Sequence, residues 1–248
     1  MLSRCRRRVG PYRCCSVVRG DSTKLMAALP PRSVDMVWSD PPYGHHNQKG
    51  DLHASLNCRY GRRSRPIAND SPERMRTVVD AVLLESWRVL APGGAVCICC
   101  AGGGAKGPTF AWLAQRMDQA GLDFYHSAIW DKVNPGLGWR YRRQHEMVMV
   151  AHRRGADMRW NSAAAAKGNI VRMTAPYRRA HPNEKPLGLV RFFLERHSRR
   201  GELVLDPFLG SGTTAVAARD LGRHYLGFEL SAEYCAVARR RLAKENTR

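Results

Sequence analysis

Residues 203–229 constrain the fold more than any other stretch. Leu203-Val204-Leu205 is a short apolar run of the buried-strand type. It leads into Asp206-Pro207-Phe208-Leu209-Gly210-Ser211-Gly212-Thr213-Thr214-Ala215, and a helical pattern follows from Thr213 to Leu221. Gly210, Gly212 and Ala215 fit the spacing G-x-G-x-x-G/A at a strand-to-helix turn. Glycines there let backbone approach a ligand closely, and the helix N-terminus presents free N–H groups. A second strand, His224-Tyr225-Leu226-Gly227-Phe228, ends in Glu229. A carboxylate at the end of the next strand is where dinucleotide folds grip a ribose diol. The glycine spacing by itself also suits a dehydrogenase.

A second motif narrows that choice. Asp40-Pro41-Pro42-Tyr43 follows the apolar run Val34 to Trp38, again a buried strand. Asp40 can accept a hydrogen bond from an exocyclic amine. Pro41 has no N–H but keeps its carbonyl, a second acceptor aimed at the same amine. Tyr43 offers a flat face on which a base can stack. The set describes a pocket for a planar ring bearing an NH2 group. With Asp206-Pro207-Phe208 ahead of the glycines, it argues for an adenosine-bearing cofactor other than a nicotinamide.

Asp40-Pro41-Pro42-Tyr43, His181-Pro182-Asn183-Glu184-Lys185-Pro186 and Asp206 to Thr214, in that order, resemble the signatures of S-adenosylmethionine-dependent DNA amino-methyltransferases. The catalytic motif comes first and the cofactor motif last, which is the family's permuted β arrangement. The resemblance spans roughly residues 15 to 245. It implies S-adenosyl-L-methionine as cofactor, lined by Asp206, Phe208, Gly210, Ser211, Gly212 and Thr213. It further implies that Glu229 holds the ribose hydroxyls, Asp21 the adenine edge and Lys185 the methionine carboxylate. Asp40, Pro41, Pro42 and Tyr43 become the catalytic set, acting on a base extruded from the stack. Adenine-N6 members usually begin this motif with Asp, and cytosine-N4 members with Ser or Thr. Adenine is therefore the expected base and cytosine the alternative. RNA as substrate, and a nucleic-acid-binding protein without turnover, are the remaining alternatives. A stand-alone enzyme of orphan or phage type, and a homodimer, are also compatible with the resemblance.

Strands alternating with helices predict an α/β fold: a doubly wound, mainly parallel sheet with helices on both faces. Strands are expected near 15–18, 34–39, 96–100, 124–130, 147–151, 203–205 and 225–228, with 124–130 and 147–151 as an antiparallel edge pair. Helices are expected from Ser71-Pro72-Glu73 to Pro92, and over 110–120, 187–199, 213–221 and 232–242. Asp21, Asp40, Asp206 and Glu229 all fall at strand C-termini, where such sheets bind ligands. The chain reads as one domain, with a basic tail over 1–14, a long basic loop over 44–70 and a short target-recognition segment over 152–180.

A net charge of +20 points to a polyanionic partner. Arg59, Arg62, Arg63 and Arg65 cluster in the long loop. Arg140, Arg142, Arg143, Arg153, Arg154, Arg159, Arg178 and Arg179 crowd a later stretch whose only acids are Glu146 and Asp157. These are the candidate nucleic-acid contacts. The short segment available suggests a short or relaxed target sequence.

Among the eight cysteines the one C-x-x-C spacing, Cys97 to Cys100, lies within an apolar run and has no second pair to match it, which argues against a zinc ribbon, so no metal is expected. Cys97 to Cys100 read as small apolar residues of a buried strand. No apolar stretch reaches membrane-spanning length, and the arginine-rich Met1 to Arg8 lacks the apolar run of a secretion signal. The expected location is the cytoplasm of a bacterial or phage-infected cell.

Overall fold

The computed structural model describes residues 5–44, 68–101, 109–136, 141–164, 167–176 and 184–244. Arg59, Arg62, Arg63, Arg65, Arg140, Arg178 and Arg179 lie outside them, as do most of the long basic loop and the His181-Pro182-Asn183 end of its motif.

A small hairpin of β1 (Arg8–Val9) and β2 (Tyr12–Arg13) comes first. Then follow β3 (Ser16–Arg19), α1 (Ser22–Ala27), β4 (Val34–Ser39), α2 (Pro72–Val89) and β5 (Leu90–Cys100). The middle of the chain forms α3 (Thr109–Gln119), β6 (Leu122–Asp131), β7 (His145–Arg153) and β8 (Ile170–Arg172). The last part forms α4 (Leu187–His197), β9 (Leu203–Asp206), α5 (Thr213–Asp220), β10 (His224–Glu229) and α6 (Ala232–Lys244). Among the described residues, no helix is long and apolar enough to cross a membrane.

Strand periodicity explains the layering. Side chains alternate across a strand, so Val37 of β4 faces one layer while Met36 and Trp38 face the other. In β5, Val96, Ile98 and Cys100 side with Val37, and Cys97 and Cys99 with Trp38. Both faces are apolar, and each is covered by helices. Met26 of α1, Val79, Val82 and Leu83 of α2, and Leu113 and Met117 of α3 cover the first. Leu189, Phe193 and Leu194 of α4, Ala215 and Ala218 of α5, and Ala238 of α6 cover the second. Trp38 packs its ring 5.4 Å from that of Phe193.

The main sheet runs β3-β10-β9-β4-β5-β7-β6-β8. The first five strands are parallel, and β7 alone is antiparallel to both its neighbours. The mainly parallel, doubly wound expectation holds, and β6 and β7 do pair antiparallel. They are not the edge, however. β8 lies parallel beyond β6, pinned by Trp130 Nε1 donating to Met173 O at 2.7 Å and Met173 N donating to Asp131 O at 2.9 Å. Part of the expected target-recognition segment is thus built into the sheet. β5 also starts earlier than expected and takes in Pro92-Gly93-Gly94, because α2 already stops at Val89.

The order places a switch point between β4 and β9. From β4 the chain returns through α2 on one face to β5; from β9 it returns through α5 on the opposite face to β10. The two crossovers diverge, leaving a crevice beyond the carboxyl ends of β4 and β9.

Candidate active site at the strand ends

The crevice is lined from both sides of the switch point. Gly20, Asp21, Asp40, Pro41, Pro42, Lys185, Asp206, Phe208, Gly210, Ser211, Thr213 and Glu229 all contribute, with Trp38, Glu184 and Tyr234. Tyr43 and Gly212 stand one layer back. Carboxylates as far apart in sequence as Asp21 and Glu229 therefore meet, because each ends or follows a parallel strand.

One half of the cleft is formed by the glycine turn. Phe208 N donates to Asp206 Oδ1 at 2.9 Å, closing a local turn after β9. Gly210 N donates to Glu229 Oε2 at 2.8 Å, and Ser231 N donates to Oε1 at 2.7 Å. Gly212 precedes α5 at φ +88°, and a Cβ there would meet Ala238 Cβ at 2.8 Å. Only glycine combines that backbone with so close an approach of α6. Arg241 Nη1 donates to Ser211 Oγ at 2.8 Å and Thr213 Oγ1 at 3.2 Å, while its Nη2 pairs with Glu184 at 3.0 Å. Arg241 thereby ties the turn to α6. Asp21 caps α1, accepting from Thr23 N at 3.0 Å and Thr23 Oγ1 at 2.8 Å. Burial, with the charges of Asp40 and Glu229 nearby, lifts the Asp206 carboxyl to about 7. Burial also raises Glu229, against the pull of the N–H groups it accepts from.

The other half is a knot of buried charge. Lys185 Nζ lies 2.7 Å from Asp40 Oδ1, 2.8 Å from its Oδ2 and 3.2 Å from Glu146 Oε2. The Tyr43 hydroxyl donates to Asp40 Oδ1 at 2.8 Å and has Glu146 Oε2 at 3.1 Å. Lys132 Nζ approaches Glu146 Oε1 at 2.5 Å. The Lys185 ammonium also sits 5.1 Å from the Tyr43 ring centroid and 5.9 Å from that of Trp130. Its side chain is only 5 % exposed. Burial opposes its charge, yet Asp40 and Glu146 hold it above the ordinary lysine range. Burial pushes Glu146 up, but Lys185 and Lys132 outweigh this and bring its carboxyl down to about 2. Burial likewise lifts Asp40, which Lys185 only partly offsets.

Lys185 was expected to meet a methionine carboxylate. In the structure its ammonium faces the carboxylates of Asp40 and Glu146. Glu146 was not expected at the site. Its one signal was an acid opening an apolar strand within a basic stretch, and only antiparallel β7 brings that strand start to the cleft.

The family model described as DNA methylase, for N6 and N4 methyltransferases, matches residues 34–240. The chain belongs to this family. As a DNA methylase it is a methyltransferase whose substrate is DNA. The type II methyltransferase M2.DpnII of Streptococcus pneumoniae is 27% identical over 252 residues, covering 93% of this chain and 90% of that protein. TTHA0409 of Thermus thermophilus, solved in complex with S-adenosyl-L-methionine, superposes with a TM-score of 0.70 at 25% identity, covering 94% and 96% of the two chains. The PvuII DNA methyltransferase, cytosine-N4-specific, shares the fold at a TM-score of 0.71 and 20% identity, covering 91% of this chain and 85% of that one.

The arginines of this DNA methylase divide by position. Arg142 and Arg143 lie between β6 and β7 on the cleft side of the sheet, both exposed, with Arg142 Nε donating to Gly136 O at 2.8 Å. Arg153, Arg154 and Arg159, the other described candidates for nucleic-acid contact, are placed differently. Arg153 closes β7, and Arg154 and Arg159 follow it, at the strand ends away from the cleft. Arg153 is buried with its guanidinium 5.0 Å from the Trp87 ring centroid. Arg154 is held by Asp118 and Asp123, and Arg159 by Asp35 at 2.9 Å.

Proposed function

We propose that this DNA methylase transfers a methyl group from S-adenosyl-L-methionine to the N6 amine of adenine. The observation that carries this reading is the meeting of Asp40, Asp206 and Glu229 in one cleft at the switch point. Asp206, which is buried, and Glu229, which is partly so, suit a cationic ligand, since their charges repel one another without one. Glu229 still has lone pairs for a diol beyond those that the N–H groups of Gly210 and Ser231 take up. Phe208 offers a flat wall and Asp21 an exposed carboxylate. When bound, the cofactor supplies an electrophilic methyl on a sulfonium.

The chain's own part is positioning and electrostatics. Asp40 accepts one N–H of the extruded base's amine and the Pro41 carbonyl accepts the other, favouring a pyramidal nitrogen. Lys185 must yield part of its hold on Asp40 for this, and Glu146 keeps the ammonium in place while it does. Tyr43 stacks on the base. Once the nitrogen has gained a fourth substituent, Asp40 is the nearest proton acceptor, and its raised affinity for a proton suits the role. Lys185 acts on Asp40 in this scheme, as a positioning group. The Asp at position 40 favours adenine over cytosine by the family's habit.

Transfer of labelled methyl to unmethylated DNA, with nucleoside analysis of the product, tests this directly. N6-methyladenine is the expected product. N4-methylcytosine would overturn the base while keeping the chemistry, and transfer only to RNA would overturn the substrate.

A further inference from the structure

At the opposite end of β10 from Glu229, four metal-binding side chains converge. His224 opens β10, and its Nδ1 lies 3.2 Å from Cys14 Sγ, 3.5 Å from Cys15 Sγ and 3.5 Å from Cys5 Sγ. Cys14 Sγ and Cys15 Sγ are 3.6 Å apart, and the four ligand atoms all lie within 4.8 Å of one another. A tetrahedral zinc site with bonds of about 2.3 Å to sulfur and about 2.0 Å to nitrogen has edges of about 3.5–3.8 Å between ligand atoms. Three of the four measured edges fall in that range, and the edge from His224 to Cys14 is about 0.3 Å shorter.

The backbone explains how two adjacent cysteines reach one point. Neighbours in a strand point to opposite faces. Cys15 departs from this, with φ +57° in the left-handed region that residues other than glycine rarely adopt. Cys14 N donates to Arg7 O at 2.9 Å, and Cys15 N donates to Tyr225 O at 2.8 Å. The strained residue is thus fixed between the N-terminal hairpin and β10, with both thiols on His224. Cys14 is buried, while Cys5, Cys15 and His224 are partly so. Cys99 and Cys235, by contrast, are buried within the apolar layer against α4 to α6.

We propose that Cys5, Cys14, Cys15 and His224 bind one zinc ion. Four protein ligands close the coordination shell, which makes this a structural site. Three thiolates and one neutral imidazole leave the complex with a charge of −1, in a stretch of chain that also carries Arg6, Arg7, Arg8 and Arg13. On binding, the three thiol protons pass to solvent, so affinity rises with pH. The ion staples the hairpin and β3 to the start of β10. It lies about 17 Å along β10 from Glu229, at about 3.3 Å per residue, and takes no part in methyl transfer. The spacing rules miss this site because its histidine stands 209 residues beyond Cys15.

Zinc content of the purified full chain, and the absorption spectrum after exchange with cobalt(II), test the proposal. One zinc per chain is expected, with thiolate-to-cobalt charge transfer and the d–d bands of a tetrahedral site. Cys5→Ser and His224→Ala should each weaken zinc binding more than tenfold and lower the melting temperature, while Cys99→Ser retains the metal. Folded wild-type protein that binds neither ion, with freely reactive thiols or a Cys14–Cys15 disulfide, would overturn it. So would zinc retained undiminished by the Cys5→Ser, His224→Ala double variant.

Discussion

In the half of the cleft made by the glycine turn, Glu229 and Asp206 are held by the backbone N–H groups of Gly210, Ser231 and Phe208. In the other half, Asp40 is held by the side chains of Lys185 and Tyr43, with Glu146 and Lys132 behind them. Backbone donors are fixed by the fold whether or not any one side chain is present. Side-chain charges in a buried knot depend on each other. The first half is ready for a ligand as it stands, whereas the second is occupied by its own lysine. Substitutions should therefore cost binding in the first half and stability in the second.

The largest effect is expected at Lys185. Lys185→Met strips the partly buried Asp40 of its cation and leaves Glu146 with Lys132 alone, a change worth about 3–5 kcal/mol of stability. Urea denaturation at neutral pH measures it, and adding Glu146→Gln should recover part of the loss. A loss below about 1 kcal/mol would mean the knot behaves as an exposed ion pair. Glu229→Ala is expected to do the reverse. Losing charged acceptors for a diol should weaken S-adenosyl-L-methionine by about 10–100-fold, at about 1.4 kcal/mol per factor of ten, with a smaller change in stability. Calorimetric titration of the cofactor decides this.

The pH dependence is subtler. Asp206 titrates near 7 in the folded chain, against an ordinary value of 3.8. Between those values the folded state holds a proton that the unfolded state releases, so this group's contribution to stability falls as pH rises from about 4 to about 7. A cationic ligand prefers the ionised form. Cofactor affinity should therefore rise a few-fold as pH climbs through about 7, and the part due to Asp206 should vanish in Asp206→Asn. A wild-type profile identical to that variant's would remove Asp206 from the binding half. The smallest effect belongs to Arg154, which its two aspartates hold at the strand ends away from the cleft. Arg154→Ala should leave DNA affinity and its salt dependence unchanged, and a shallower salt slope would return that edge to the DNA interface.

The two halves also differed in how legible they were. Glycine spacing, strand runs and terminal carboxylates are local signals, so Asp206, Gly210 and Glu229 could be placed from sequence, along with the parallel sheet. The charge knot is not local. Glu146 reaches Asp40 only because β7 runs antiparallel beside β5, and pairing partners leave no local trace. The arginines around β7 divide for the same reason. A strand of nine residues carries Arg153 to the opposite end of β7 from His145, so one basic stretch became two environments. β8 was missed because three residues are too few for a period to show.

The most direct test measures cofactor affinity and single-turnover methyl transfer on the same preparation of Asp40→Ala. The division of the cleft predicts transfer reduced by at least about 10²–10³-fold with the cofactor Kd nearly unchanged. Transfer near the wild-type rate, or a loss of cofactor binding that matches the loss of transfer, would contradict it.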